Sequence, residues 1–148
     1  MKFSSYYNNI GINAFAVSSV LKEAGFLSLT QIALILPIVA HREIVRKLAD
    51  GRFRFVSFEQ YFIDNIEFFY NFNERYVASL TPTVNALQFL CEIGVTELKD
   101  DGAVTASELP YEGTMGKRAE RVKRASANIA ALVSGNAAVF YLNARIEL

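Results

Sequence analysis

The sequence predicts a mainly α fold with a small β part: a winged-helix-like helical domain with a β-hairpin wing and a C-terminal strand. Three observations carry this. Thr81 to Ser107 reads as a capped helix, a glycine stop and a tight hairpin. Elsewhere apolar residues recur at three- and four-residue spacing, as on buried helix faces. Near the C-terminus, Val139-Phe140-Tyr141-Leu142 has the β-branched and aromatic content that favours a strand.

The first helix covers Asn13 to Ala24, with Phe15, Val20 and Leu21 inward and Gly25 stopping it. A second helical stretch starts after Ser28 and carries an Ile32, Ile35, Leu36 stripe. Pro37 kinks it or begins a new helix, because proline cannot donate to the preceding turn. Ile38 to Leu48 continues the pattern through Ile44, Val45 and Leu48, and Asp50-Gly51 ends it.

Arg52-Phe53-Arg54-Phe55 alternates basic and apolar, as a half-buried strand does. Ser57-Phe58-Glu59-Gln60 is a capping box, with Gln60 placed to bond back to the cap. The helix it opens runs to Phe69 or beyond, on a stripe of Phe58, Phe62, Ile66 and Phe69 widened by Tyr61 and Phe68. Asn71-Phe72-Asn73 loosens the chain before a short helix over Glu74 to Leu80.

Thr81 then caps a new helix with Pro82 in its first turn, where the missing N–H costs nothing. Val84, Leu87, Leu90 and Cys91 form its buried face, and Gly94 suits the left-handed stop. Val95–Leu98 and Ala103–Ala106 pair around Asp101-Gly102. Leu109 to Gly113 is a loop, Gly116 to Ser134 a long helix closed by Gly135-Asn136, and Ala137 to Leu142 the last strand. No repeat or interdomain linker interrupts the chain. One domain over 1–148 is expected, with the winged-helix-like segment at about 57–107 and the C-terminal helix and strand at 116–146.

Charge and hydropathy narrow the function classes. Fifteen cationic and fifteen acidic residues balance, so no global field draws the chain to an anionic surface. Hydrophobic residues make up 52%, with twelve Phe and seven Tyr. That excess enters a dense core or leaves an apolar face for a partner to cover. The longest apolar run, Ile32 to Ala40, has nine residues. A spanning helix needs about twenty, so no membrane is expected. The N-terminus lacks a charged-then-apolar signal pattern. The lone Cys91 cannot form an internal disulfide, which suits a reducing cytoplasm.

Catalytic chemistry is not expected, and neither is a cofactor. One His and one Cys, fifty residues apart, offer no metal-ligand spacing. His41 reads as a structural or interface histidine. A Cys91–His41 nucleophile pair is conceivable, but Cys91 sits on an apolar face without an activating neighbour. Neither a phosphate-binding Gly-Lys loop nor GxGxxG is present. Asp64/Glu67 and Asp100/Asp101 lie where helix faces and turns place carboxylates.

Lys117-Arg118-Ala119-Glu120-Arg121-Val122-Lys123-Arg124 carries five positive charges in eight residues. Lys117, Arg121 and Arg124 lie on one helix face; Val122, Ile129 and Val133 lie on another. The plain reading is a solvated face. The functional one makes Lys117, Arg118, Arg121, Lys123 and Arg124 contacts for an acidic partner or phosphates. Distance from the helix C-terminus rules out dipole compensation as their reason. The helix at 82–93 offers Asn85 and Gln88 but no Lys or Arg, and the hairpin holds Glu97, Asp100 and Asp101 beside Lys99. Such a wing repels phosphate and suits protein docking.

Several of these pieces occur in an order that resembles the middle component of bacterial three-component ABC systems, relatives of the Lamassu-type defence systems. They are the Asn13-Ala14-Phe15 helix, Leu36-Pro37-Ile38-Val39-Ala40-His41 with its following basic helix, Arg75 with Leu80-Thr81-Pro82-Thr83, the apolar helix with Gly94, and Ala138 to Arg145. Asn143-Ala144 departs from the expected Leu-Gly-type ending. The resemblance implies a non-enzymatic adaptor subunit in an anti-phage or anti-plasmid complex. It would link an SMC-like ABC ATPase to a nuclease-type effector, and touch DNA only within the complex. The basic run and Leu36, Pro37, His41 and Arg75 are placed at partner contacts; for Leu36 to His41 the simpler reading is core. The alternative is a small winged-helix DNA-binding regulator.

Overall fold

Residues 10–105, 107, 109 and 116–146 are described by a computed structural model. Its elements are α1 (Ile10–Ala24), β1 (Phe26–Ser28), α2 (Leu29–Ile32), α3 (Ile35–Val39), α4 (Arg42–Ala49), α5 (Phe58–Asp64), a 3-10 turn (Ile66–Phe69), α6 (Phe72–Glu92), β2 (Thr96–Lys99), β3 (Gly102–Thr105), α7 (Lys117–Val133) and α8 (Ala137–Asn143). The predicted positions Ala106 and Pro110 to Gly113 fall outside the described residues.

Helix α1 is the centre. Nine consecutive residues, Asn13 to Leu21, are buried, because α3, α6, α7 and β3 all pack on it. Gly25 ends it at φ +84, where a side chain would be strained. The strand β1 follows at once. It pairs antiparallel with β3, which pairs antiparallel with β2, giving the order β1-β3-β2.

The hairpin forms one residue earlier than Asp101-Gly102 predicts. Lys99 pairs with Gly102, so Asp100-Asp101 make the turn, with Asp100 at φ +54. Gly102 is instead the first residue of β3, between two strands. A Cβ there would lie 2.2 Å from the Leu27 carbonyl oxygen and against the Phe26 ring. The glycine is required by close approach of backbones rather than by the turn.

Ser28 caps α2 with a reciprocal box: its Oγ accepts from the Gln31 N–H, and Gln31 Oε1 accepts from the Ser28 N–H at 3.0 Å. The helix breaks at Ala33-Leu34 and α3 restarts, so Pro37 falls in a first turn, where no N–H is needed. Ile38 to Leu48 is not continuous. His41 interrupts it as the cap of α4, its Nδ1 accepting from the Ile44 N–H at 3.2 Å.

Arg52 to Phe55 is not a strand; among the described residues no neighbouring strand offers it a ladder. Its alternation survives as half-buried Phe53 and Phe55 beside exposed Arg52 and Arg54. Ser57 caps α5, but the Gln60 side chain donates to Asp64 instead of returning to the cap. The helix stops at Asp64 rather than running to Phe69. Asn65 leaves helical geometry while its Nδ2 donates to the Tyr61 carbonyl at 3.0 Å and its Oδ1 accepts from Lys47 Nζ at 2.7 Å. A short polar side chain that bonds its own backbone competes with the helix.

The expected pair of helices at 74–80 and 82–93 is one helix, α6, running through Pro82. Thr81 is an exposed interior residue, not a cap. Pro82 has no N–H for the carbonyl of Ala78, which costs up to about 3 kcal/mol. A continuous buried face offsets it: Arg75, Tyr76, Ser79, Thr83, Ala86 and Leu90 recur at helical spacing on both sides of the proline. Val84, expected inside, points to solvent.

The C-terminal strand is likewise a helix, α8. Asn136 caps it, accepting from the Ala138 and Val139 N–H groups. Phe140, Tyr141 and Ala144 turn inward together, which a strand's alternation forbids. The Phe140 ring stacks on Phe58 at 4.5 Å and meets Phe69 and Phe72, closing an aromatic cluster. Tertiary packing of those rings overrides local strand preference.

Candidate interaction surfaces

Four predicted partner contacts prove to be internal or structural. Leu36 and Pro37 are buried in α3. Arg75 is only 5% exposed. Its Nε donates to the Pro37 carbonyl at 3.1 Å and its Nη2 to the Phe68 carbonyl at 2.9 Å, while the guanidinium lies 5.1 Å from the Phe72 ring centre. One planar fork thus ties α3, the 3-10 turn and α6 together, a role a lysine ammonium fills poorly. His41 is half-buried between its cap bond and the Phe68 ring, 5.0 Å away. Burial, then the Arg75 charge, holds its imidazole below the ordinary value of 6.5. These residues build the frame on which the outer surfaces sit.

The basic run lies on α7 as expected. Lys117 and Arg124 are exposed; Arg118, Arg121 and Lys123 are half-buried. Ala119, Val122, Ala125, Ile129 and Val133 form the inner face. Helix α4 packs alongside, and Asn128 Nδ2 donates to the Leu48 carbonyl at 2.8 Å between them. The pairing brings Arg46 to the same groove as Arg121 and Arg124, above Asp50 and Gly51. Sequence reasoning missed Arg46; the signal was the Arg42/Arg46 spacing opposite the Ile44, Val45, Leu48 stripe. Glu43 pairs with Arg46, Glu120 with Arg124 at 3.8 Å, and Asp50 with Arg52 at 3.1 Å.

An apolar strip is the second surface; the apolar excess allows for such a face, but Ile66, expected on a buried stripe, lies on it. Ile66, Tyr70 and Leu142 are 46%, 75% and 78% exposed. With Phe62, Asn73 and Arg145 they line a groove of about 430 Å³ between the 3-10 turn and the end of α8. From Asn73 the strip continues along the outer face of α6 through exposed Val77, Leu80 and Val84.

Among the described residues no cluster of three or more His, Cys, Asp or Glu could hold a metal ion. Cys91 is half-buried, and burial pushes its thiol up, away from the reactive thiolate. No single helix among the described residues is long and apolar enough to cross a membrane.

No curated protein and no solved structure matches the chain. Residues 12–144 match the family described as ABC-three component (ABC-3C) system Middle Component 3. The matched span takes in nearly all of α1, the Arg75 clamp, the hairpin and all but Arg145 of the two outer surfaces. The chain belongs to the Middle Component 3 family of ABC-three component systems, and so is an accessory component of a multi-component ABC assembly.

Proposed function

We propose that the chain is a non-enzymatic adaptor that joins the ABC ATPase of its system, an SMC-like one, to a nuclease-type effector in cytoplasmic defence against phage or plasmid DNA. The observation that carries this is the apolar strip of Ile66, Tyr70, Leu142, Val77 and Val84, held by a chain of a middle-component family. Exposed aromatic and aliphatic side chains around a groove are what a protein interface core uses. The ATPase component is its proposed occupant.

Co-expression of the tagged chain with its operon neighbours tests the proposal. The ATPase is expected to co-purify in a defined ratio, and Tyr70→Asp with Leu142→Asp to release it. A lone monomer that captures no neighbour overturns the reading. The hairpin's Glu97, Asp100 and Asp101, all exposed, give no support to the alternative of a regulator reading DNA with α6 and its wing.

A further inference from the structure

The chain is neutral overall but its charge is segregated. Helices α4 and α7 with Asp50 carry eight cations, Arg42, Arg46, Lys47, Lys117, Arg118, Arg121, Lys123 and Arg124, against three carboxylates, Glu43, Asp50 and Glu120. The rest of the chain holds seven cations against twelve carboxylates, so an excess of five positive charges on these two helices is matched by five negative charges elsewhere. The field is therefore local, and the balanced total hides it.

Placement of these cations works against helix stability. Five fall in the first eight residues of α7, at the positive end of its dipole, where acidic side chains are favoured. Within the helix Arg124 has an ion-pair partner, the exposed Glu120. Arg46, Arg121 and Arg124 line a shallow groove of about 310 Å³ with Ala49, Asp50 and Gly51. Arg46 comes from α4 and the other two from α7, so folding assembles the groove from segments some 75 residues apart in sequence.

The geometry points to this groove as a contact for the phosphate backbone of duplex DNA. Guanidinium forks fit phosphate oxygens in pairs, and a phosphate would replace the Glu43 and exposed Glu120 partners of Arg46 and Arg124. The groove has no aromatic or large aliphatic side chain, so it lacks the anchors of a protein interface and the platforms on which single-stranded bases stack. It offers no Asn or Gln to read adenine edges. Asp50, the acidic residue of the groove, is engaged by Arg52, which offsets its repulsion of a phosphate. Contact through guanidinium–phosphate pairs is to the backbone and independent of sequence. It is independent of the apolar strip and of the adaptor reading.

Fluorescence anisotropy of the full chain with a labelled duplex DNA of two helical turns tests this. With three phosphate contacts, affinity is expected to fall about 40-fold between about 50 and about 200 mM salt. Arg46→Ala and Arg121→Ala are each expected to flatten the logarithmic salt slope by about one. Arg121→Glu with Arg124→Glu should abolish binding, with unchanged thermal unfolding. Lys99→Ala, on the hairpin, should change nothing. The double variant should still co-purify the ATPase, which separates this inference from the adaptor reading. Absence of binding by the unaltered chain at low salt overturns it. So does a slope insensitive to Arg46 and Arg121, tighter binding of a single strand or an RNA duplex, or loss of the ATPase from the double variant.

Discussion

Helices α6 and α7 both lie along α1, and each buries a stripe of mostly small and apolar residues there. Their outer faces differ. Helix α6 shows Val77, Leu80 and Val84; α7 shows Lys117, Arg121 and Arg124. Helix α6 also carries Pro82 in its interior and a buried arginine. The comparison separates two duties. Inner faces supply stability, and the outer faces offer two chemically distinct surfaces that one rigid centre holds in fixed relation.

Substitutions can break or sharpen this division. The largest loss should come from the inner face of α6: Phe72→Ala, fully buried in the aromatic cluster, should cost about 3–5 kcal/mol in urea unfolding. Next is the clamp. Arg75→Ala removes two buried bonds from a charged donor and should cost about 3 kcal/mol, with Arg75→Lys recovering little, because one ammonium does not reproduce the fork that spans both carbonyls. An Arg75→Ala variant as stable as its parent would move the clamp to the list of idle contacts.

His41 should give a smaller, pH-dependent effect. Its folded-state value lies below 6.5, so the unfolded chain takes up a proton first as pH falls. Its contribution is whole above 6.5 and is lost as pH drops through 6.5 toward the folded value. Protonation also removes the Nδ1 lone pair that caps α4. Thermal unfolding at about pH 7.5 and about pH 5.5 should show this loss, and His41→Asn, which keeps a cap acceptor, should reduce it. The smallest effects belong outside. Val84→Asp and Arg124→Ala should each shift stability by less than about 0.5 kcal/mol. Co-purification assays would then respond to the first, and salt-dependent DNA binding to the second.

How much of this was legible in the sequence differs between the same two helices. The inner and outer faces of α7 are readable because cations mark one and Val122, Ile129 and Val133 the other. Helix α6 is not, because apolar residues occupy both sides: Val84 outside resembles Leu90 inside. Thr81-Pro82 also mimics a helix start. Only the packing of Tyr76, Ser79, Thr83 and Ala86 against the centre decides that the helix continues. The same holds for α8, whose strand-like composition yields to contact with Phe58, and for β1, three residues too short to show a period. Arg75 reads as a partner contact because an arginine beside Asn73 and Glu74 does not announce burial. Arg46 joins the α7 cations only through a tertiary contact no local pattern encodes. The sharpest local signals held: Gly25 and Gly94 adopt positive φ, Ser57 caps its helix, and the hairpin forms within one residue of its expected turn.

The enclosure of α1 has a kinetic corollary. A helix buried over nine consecutive residues cannot be wetted by peeling away one neighbour alone without exposing a surface that the others still need. Opening should therefore be all-or-none for the centre, with the amides of Val17 to Leu21 exchanging with deuterium only through global unfolding. The short α8 and the 3-10 turn, held at the margin by ring contacts, should exchange by smaller openings. The groove beside Tyr70 and Leu142 would then be the region most able to adjust its shape while the rest of the molecule keeps its own.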